Sequence, residues 1–261
     1  MVKLAANLSM MFADRPFLQR IDAAADSGFR AVEFVSPYGE ARRDVAMRVQ
    51  KRSLEVALFN FPPGDWAAGE RGIAALPDRI EECRAGVATA LAYARDLGCS
   101  RLHLMAGKIP ANADPAACEA TFVDNIAYAA EHCAAQGIDV LLEPINTKID
   151  IPGYFLNSSA HALRLLERVG APNVRLQYDI YHMQVMEGDL ARSIERLLPA
   201  IGHIQLADNP GRGEPGTGEI NYPWLLARID ALGYDGWIGC EYAPRGETAA
   251  GLGWAAPYLG R

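Results

Sequence analysis

Short, almost continuously apolar runs alternate with longer amphipathic stretches along this chain, and that alternation constrains the fold more than any other feature. The runs are Leu4–Leu8, Ala31–Ser36, Leu54–Phe61, Arg101–Ala106, Val140–Ile145, Val174–Ile180, Ile201–Ala207 and Trp237–Tyr242. They lack strict apolar–polar alternation, which predicts parallel strands covered on both faces. Between them, helical patterning covers Phe17–Asp26, Ala41–Arg52, Asp78–Leu97, Pro115–Gln136, a stretch from Ser158 to Gly170, Asp189–Leu198 and Tyr222–Leu232. Glycines such as Gly98, Gly170 and Gly233 follow helix ends, where a left-handed residue closes the last turn. Eight strand-then-helix units in 261 residues predict an α/β fold, a (β/α)8 TIM barrel, rather than an open doubly wound sheet. No G-x-G-x-x-G follows the first strand, which argues against a dinucleotide site. No composition break divides the chain, so residues 1–261 are expected to form a single barrel domain.

Charge and cysteine usage narrow the function classes. Lys plus Arg number 25 against 32 Asp plus Glu, a net charge of -7. Such a surface repels phosphate backbones, and no dense basic run offsets it, so no nucleic-acid partner is expected. No apolar run is long enough to span a bilayer. The first residues read as a strand rather than a leader segment. Cys83, Cys99, Cys118, Cys133 and Cys240 are odd in number and contain no C-x-x-C pair. Reduced thiols in a cytoplasmic protein are expected.

Chemistry in such a barrel sits at the C-terminal ends of the strands. The fifth strand ends in Glu143, the sixth in Asp179 and the eighth in Glu241, while the seventh carries Gln205. Each is flanked by apolar residues. A buried carboxylate costs several kcal/mol unless paired or metal-bound, and three of them at one mouth repel each other. A divalent cation removes both problems. An all-oxygen set of Glu143, Asp179, Gln205 and Glu241 suits Mg²⁺ or Mn²⁺ better than Zn²⁺. Pairing of some of these groups with arginine or backbone N–H is the alternative.

At these residues the chain resembles the xylose-isomerase-like barrel superfamily, and within it the hydroxypyruvate isomerase family almost end to end. The matching stretches are 6–10, 64–72, 143–146, 177–184, 207–221 and 239–242. The resemblance implies a metal-assisted aldose–ketose isomerase of a small 2-oxo acid. It also implies that Glu143 and Glu241 are the catalytic proton-transfer pair and that the four strand-end residues ligate the metal. A close relative, 2-oxo-tetronate isomerase, shares these motifs. The resemblance further suggests a homo-oligomer, dimer or tetramer.

Four more residues are candidate substrate ligands. His182, three residues past Asp179, would donate to a substrate oxygen, a role resting largely on the family. Arg212 lies in a Gly/Pro-rich loop and suits a carboxylate; the alternative is an ion pair with Glu214 or Glu219. Lys108 follows the fourth strand and could meet the same carboxylate or face solvent. Arg71 shares the segment 65–72 with Trp66 and Glu70, which fits a lid that excludes water or a subunit contact. Asn7 and Glu33 are expected to make structural hydrogen bonds. His103 is expected to be a satisfied core histidine, and His132, His161 and His203 carry no functional expectation. Rival readings are a sugar 3-epimerase, which needs no cation for a carboxylate, a metal-dependent phosphodiesterase and a non-catalytic binding protein.

Overall fold

The computed structural model describes residues 1–260. Eight parallel strands close into a barrel in chain order, with β8 returning to pair with β1. They are β1 (Lys3–Asn7), β2 (Ala31–Phe34), β3 (Glu55–Asn60), β4 (Arg101–His103), β5 (Asp139–Leu142), β6 (Val174–Asp179), β7 (Ile201–Leu206) and β8 (Trp237–Cys240). The (β/α)8 expectation is therefore met. The helices are α1 (Phe17–Asp26), α2 (Arg42–Lys51), α3 (Ile80–Leu97), α4 (Pro115–Ala134), α5 (Ser159–Val169), α6 (Ile180–Met186), α7 (Leu190–Leu197) and α8 (Tyr222–Ala231). No helix among the described residues is long and apolar enough to cross a membrane. All five cysteines are buried and free.

Local chemistry accounts for the element ends. Asp114 accepts from the Ala116 N–H at 3.0 Å and Pro115 opens the first turn of α4. Gly98 and Gly170 close α3 and α5 in the left-handed region, at φ 63° and 64°.

Three details depart from the sequence reading. A 3-10 segment, Ala250–Ala255, follows β8 instead of an α-helix. The short α6 begins directly at the end of β6, because Asp179 caps it: Oδ1 accepts from the N–H groups of Tyr181 (2.7 Å) and His182 (3.3 Å). The ladder of β4 stops at His103 because the next carbonyls serve another partner. Ala74 and Ala75 N–H donate to the Met105 and Ala106 carbonyls at 3.3 and 2.8 Å. Gly72 bridges to Ala106 there, and a Cβ on Gly72 would overlap the Met105 backbone, so only glycine lets the 65–72 segment dock this closely.

Inside the barrel, Ala5, Ala31 and Ala57 form a small apolar cluster against Trp237. Nearer the C-terminal ends the strands carry buried polar residues: Asn7, Glu33, His103, Gln177, His203 and Gln205. Register shifts fall between Val32 and Glu33 and between Leu176 and Gln177. Such irregularities re-aim side chains, and both Glu33 and Gln177 reach Gln205.

Glu33 is the hub of this layer. Its Oε1 accepts from Asn7 Nδ2 (2.9 Å) and Gln205 Nε2 (2.7 Å), and its Oε2 meets His203 Nε2 at 2.6 Å. The expected structural hydrogen bonds of Asn7 and Glu33 are present. The carboxylate lies against β8, where a Cβ on Gly239 would overlap it. Gly239→Ala should therefore destabilise the protein by about 1–3 kcal/mol through overpacking, read as a lower denaturation midpoint at unchanged slope. An unchanged midpoint would show that the Glu33 carboxylate does not need this space.

Candidate active site

A cavity of about 460 Å³ opens among the residues at the C-terminal ends of the strands. Glu143, His182, Gln205, Arg212 and Glu241 all line it. Asp179 is fully buried and does not line it. Ligand atoms of Glu143, Asp179, His182 and Glu241 all fall within 4.8 Å of one another.

The barrel ends force these carboxylates together, and their protonation reflects it. Burial, reinforced by repulsion from Glu241 and Asp179, pushes the Glu143 carboxyl well above its ordinary value of 4.5. Burial also raises Asp179 and Glu241, with the Arg212 guanidinium opposing the rise in both. His182 is driven well below its ordinary range, first by desolvation and then by Arg212.

Arg212 reaches the cluster rather than its sequence neighbours Glu214 and Glu219. Its Nη2 donates to Glu241 Oε2 at 3.0 Å and its Nη1 to Asp150 Oδ2 at 2.9 Å, with Asp179 Oδ2 3.9 Å away. The loop that presents it is tied down by the buried Asp208. That carboxylate accepts five backbone N–H bonds, from Asn209, Gly216, Thr217, Gly218 and Ile220, at 2.8–3.1 Å. The Arg212 carbonyl accepts from the Ala243 N–H at 2.8 Å, which links the loop to the segment after β8.

Gln205 is oriented from two sides. Its Nε2 donates to Glu33, and its Oε1 accepts from Gln177 Nε2 at 2.6 Å. A carbonyl oxygen has two lone pairs, so Oε1 keeps one for a further partner. Asn7 links the two layers: its Nδ2 donates to Glu33 and lies 3.3 Å from Glu241 Oε1.

The residues present fit a cation. Glu143 Oε1 and Asp179 Oδ2 are buried oxygens with no hydrogen-bond partner, which is costly for a carboxylate unless another charge meets it. The acidic groups of this cluster, with His182 beside them, could therefore hold a metal ion.

The remaining candidates separate. Lys108 is exposed and does not line the cavity, because its backbone bridges to Tyr154 at the rim. Arg71 does not line it either. Its guanidinium stacks 3.8 Å from the Trp66 ring centroid and donates to the Trp66 and Glu70 carbonyls. Trp66 itself does reach the cavity. His103 corrects the expectation of a satisfied core histidine. It lines the cavity, its Nδ1 lies 3.4 Å from Glu143 Oε2, and its Nε2 has no partner. Desolvation holds it near pKa 3, a neutral ring.

Sequence reasoning missed Gln177, Asn146 and Asp150, which meet Gln205, His182 and Arg212 respectively. Gln177 and Asn146 lie inside the stretches that resemble known relatives. Asp150 carries no local signal, being 62 residues from its arginine partner. Arg20 also lines the cavity, with its guanidinium bonded to the carbonyls of Arg15 (2.8 Å) and Leu8 (2.9 Å).

Comparison with known proteins agrees with this architecture. Residues 21–258 match the family model described as xylose isomerase-like TIM barrel. The chain is 54% identical to 2-oxo-tetronate isomerase of Cupriavidus necator over all of both chains. It is 49% identical to hydroxypyruvate isomerase of Escherichia coli K12, over 99% of this chain and 100% of the relative. A crystal structure described as an AP endonuclease, family 2, from Brucella melitensis superposes with TM-score 0.96 at 49% identity, over 99% of this chain and 100% of that one. This chain belongs to the xylose isomerase-like TIM barrel family, in the branch that contains these hydroxypyruvate and 2-oxo-tetronate isomerases.

Proposed function

We propose that the protein is a metal-assisted aldose–ketose isomerase of short 2-oxo acids, interconverting hydroxypyruvate and 2-hydroxy-3-oxopropanoate. The observation that carries this reading is the pair of glutamates, buried Glu143 and partly buried Glu241, that line one cavity with raised proton affinity, Glu241 bonded to Arg212. The two acids interconvert through an enediolate, one hydrogen moving from C3 to C2 and one proton from the C3 hydroxyl to the C2 oxygen. That conversion needs a group that takes a proton from carbon and one that returns it, and carboxyls whose proton affinity burial has raised suit both tasks.

In this reading one glutamate removes the C3 proton, the other delivers a proton to C2, and the proton of the C3 hydroxyl passes to the C2 oxygen. Arg212 offers its Nε–H, which has no partner in the protein, to the substrate carboxylate. His182 donates to a substrate oxygen. Trp66 covers the cavity mouth and limits water. Glu143, Asp179, Gln205 and Glu241 would hold Mg²⁺ or Mn²⁺, which as a Lewis acid favours charge on the carbonyl oxygen when bound.

A second reading, isomerisation of 2-oxo-tetronate, is favoured by the 54% identity to an enzyme of that name. The same carbonyl shift between C2 and C3 would occur on a four-carbon acid. An endonuclease reading finds no support in the net charge of -7, since phosphate contacts need a cationic face.

Three tests follow from this site. Glu143→Gln and Glu241→Gln should each stay folded and lose about 10²–10⁴-fold in turnover; near-normal turnover in either would remove it from the proton-transfer pair. Chelation should abolish turnover on both acids, with Mn²⁺ or Mg²⁺ restoring it, and the ratio of kcat/KM for hydroxypyruvate and 2-oxo-tetronate identifies the substrate.

The pH dependence of stability has a definite sign. A carboxyl whose folded pKa is raised keeps its proton in the native state after the unfolded chain has lost it. Stability present below the ordinary value of 4.5 is then lost as pH rises toward the folded pKa. In chelator, the melting temperature of the parent should therefore fall relative to Glu143→Gln as pH climbs above 4.5. Added Mn²⁺ should reverse that trend, because it binds the ionised carboxylates. A pH-independent difference would mean that Glu143 ionises normally.

A further inference from the structure

Asn146 sits three residues past Glu143, fully buried, at the end of the fifth strand unit. Its Oδ1 accepts two backbone N–H bonds, from Ile149 and Asp150, each at 3.0 Å. Both of those partners are donors, so the carboxamide cannot be turned around without facing N–H groups with its own NH₂. Its Nδ2 is therefore the atom that meets His182 Nδ1, at 2.8 Å. An amide NH₂ only donates. Nδ1 must then present its lone pair, and the single proton of the neutral imidazole resides on Nε2. The competing acceptor for an Nδ1 proton, Asp150 Oδ2, is 3.8 Å away and already takes the Arg212 Nη1–H at 2.9 Å.

We propose that Asn146 is a positioning residue that fixes His182 as the Nε2–H tautomer, so that the cavity meets a hydrogen-bond donor rather than a ligating lone pair. This rests on the functional reading above only for its catalytic consequence. The Nε2 atom lies 3.7 Å from Asp179 Oδ2 and 3.8 Å from Glu143 Oε1, too far to spend its proton on either. It stays available for a substrate oxygen.

The same proton removes His182 from the metal-binding cluster, since a protonated ring nitrogen has no lone pair to give. Glu143, Asp179 and Glu241 remain, and Gln205, which lines the same cavity, can offer the second lone pair of its Oε1. That leaves an oxygen-only set, which favours Mg²⁺ or Mn²⁺ over Zn²⁺. Asn146 would thus act on metal choice without touching the metal.

The test uses the intact protein labelled with ¹⁵N-histidine. Long-range ¹H–¹⁵N correlations should show His182 with a bare Nδ1 and a protonated Nε2. Asn146→Asp keeps the acceptor for Ile149 and Asp150 but replaces the donor with an acceptor. It should move the proton to Nδ1 and expose an Nε2 lone pair. Titration with Zn²⁺ and Mn²⁺ should then show at least a tenfold relative gain for Zn²⁺ in the variant. A protonated Nδ1 in the parent protein overturns the proposal, as does an unchanged Zn²⁺/Mn²⁺ preference in a folded Asn146→Asp protein. The parent spectrum decides the tautomer even if the variant does not fold. It is independent of turnover, so absence of isomerase activity with the Nε2–H tautomer present would count against the functional reading alone.

Discussion

Three carboxylates withdrawn from water within a few ångströms of each other are the constraint on which the rest of this structure depends. Glu143, Asp179 and Glu241 are each raised in proton affinity by burial, and Glu143 and Glu241 also by repulsion from a neighbouring acid of the cluster. The protein compensates them unequally. Glu241 takes an Arg212 guanidinium bond, and one oxygen of Asp179 takes two backbone N–H bonds at the start of α6. Glu143 Oε1 and Asp179 Oδ2 receive nothing. That residual imbalance leaves oxygens that a cation could meet and carboxyls whose proton affinity is raised.

Two buried acids outside the cluster are treated differently. Asp208 is saturated by five backbone N–H groups and serves only to shape the loop that carries Arg212. Glu33 takes three side-chain partners and holds the amide of Gln205 in place. Hydrogen-bond saturation thus distinguishes Asp208 and Glu33 from Glu143 and Asp179, although all four are buried. Support then runs in layers. Gly239 makes room for Glu33, Glu33 and Gln177 orient Gln205, and Asn7 connects that layer to Glu241.

Much of this was legible before any coordinates. Strand and helix periods are local properties, so the eight apolar runs located the strands to within a few residues. Parallel closure puts all C-terminal strand ends on one face, which is why Glu143, Asp179, Gln205 and Glu241 could be singled out together. The short α6 is not legible in the sequence, because Asp179 ends an apolar strand run and caps the helix at the same position. His103 was misjudged because a lone histidine in an apolar run looks the same whether it faces a helix or the barrel axis. The rim candidates Lys108 and Arg71 diverged from Arg212 because loop side chains have no period to betray their direction.

By itself, the amino-acid sequence determined the barrel and which acids stand at its strand ends, since short-range patterning and chain order suffice for both. Tertiary structure alone decided the pairing of Arg212 with Asp150 across 62 residues and the grip of Asn146 on His182. It also decided which carboxylate oxygens were left without partners. Those outcomes depend on where separate loops converge in space and on how much water is excluded there. Neither quantity is encoded in the spacing of residues along the chain.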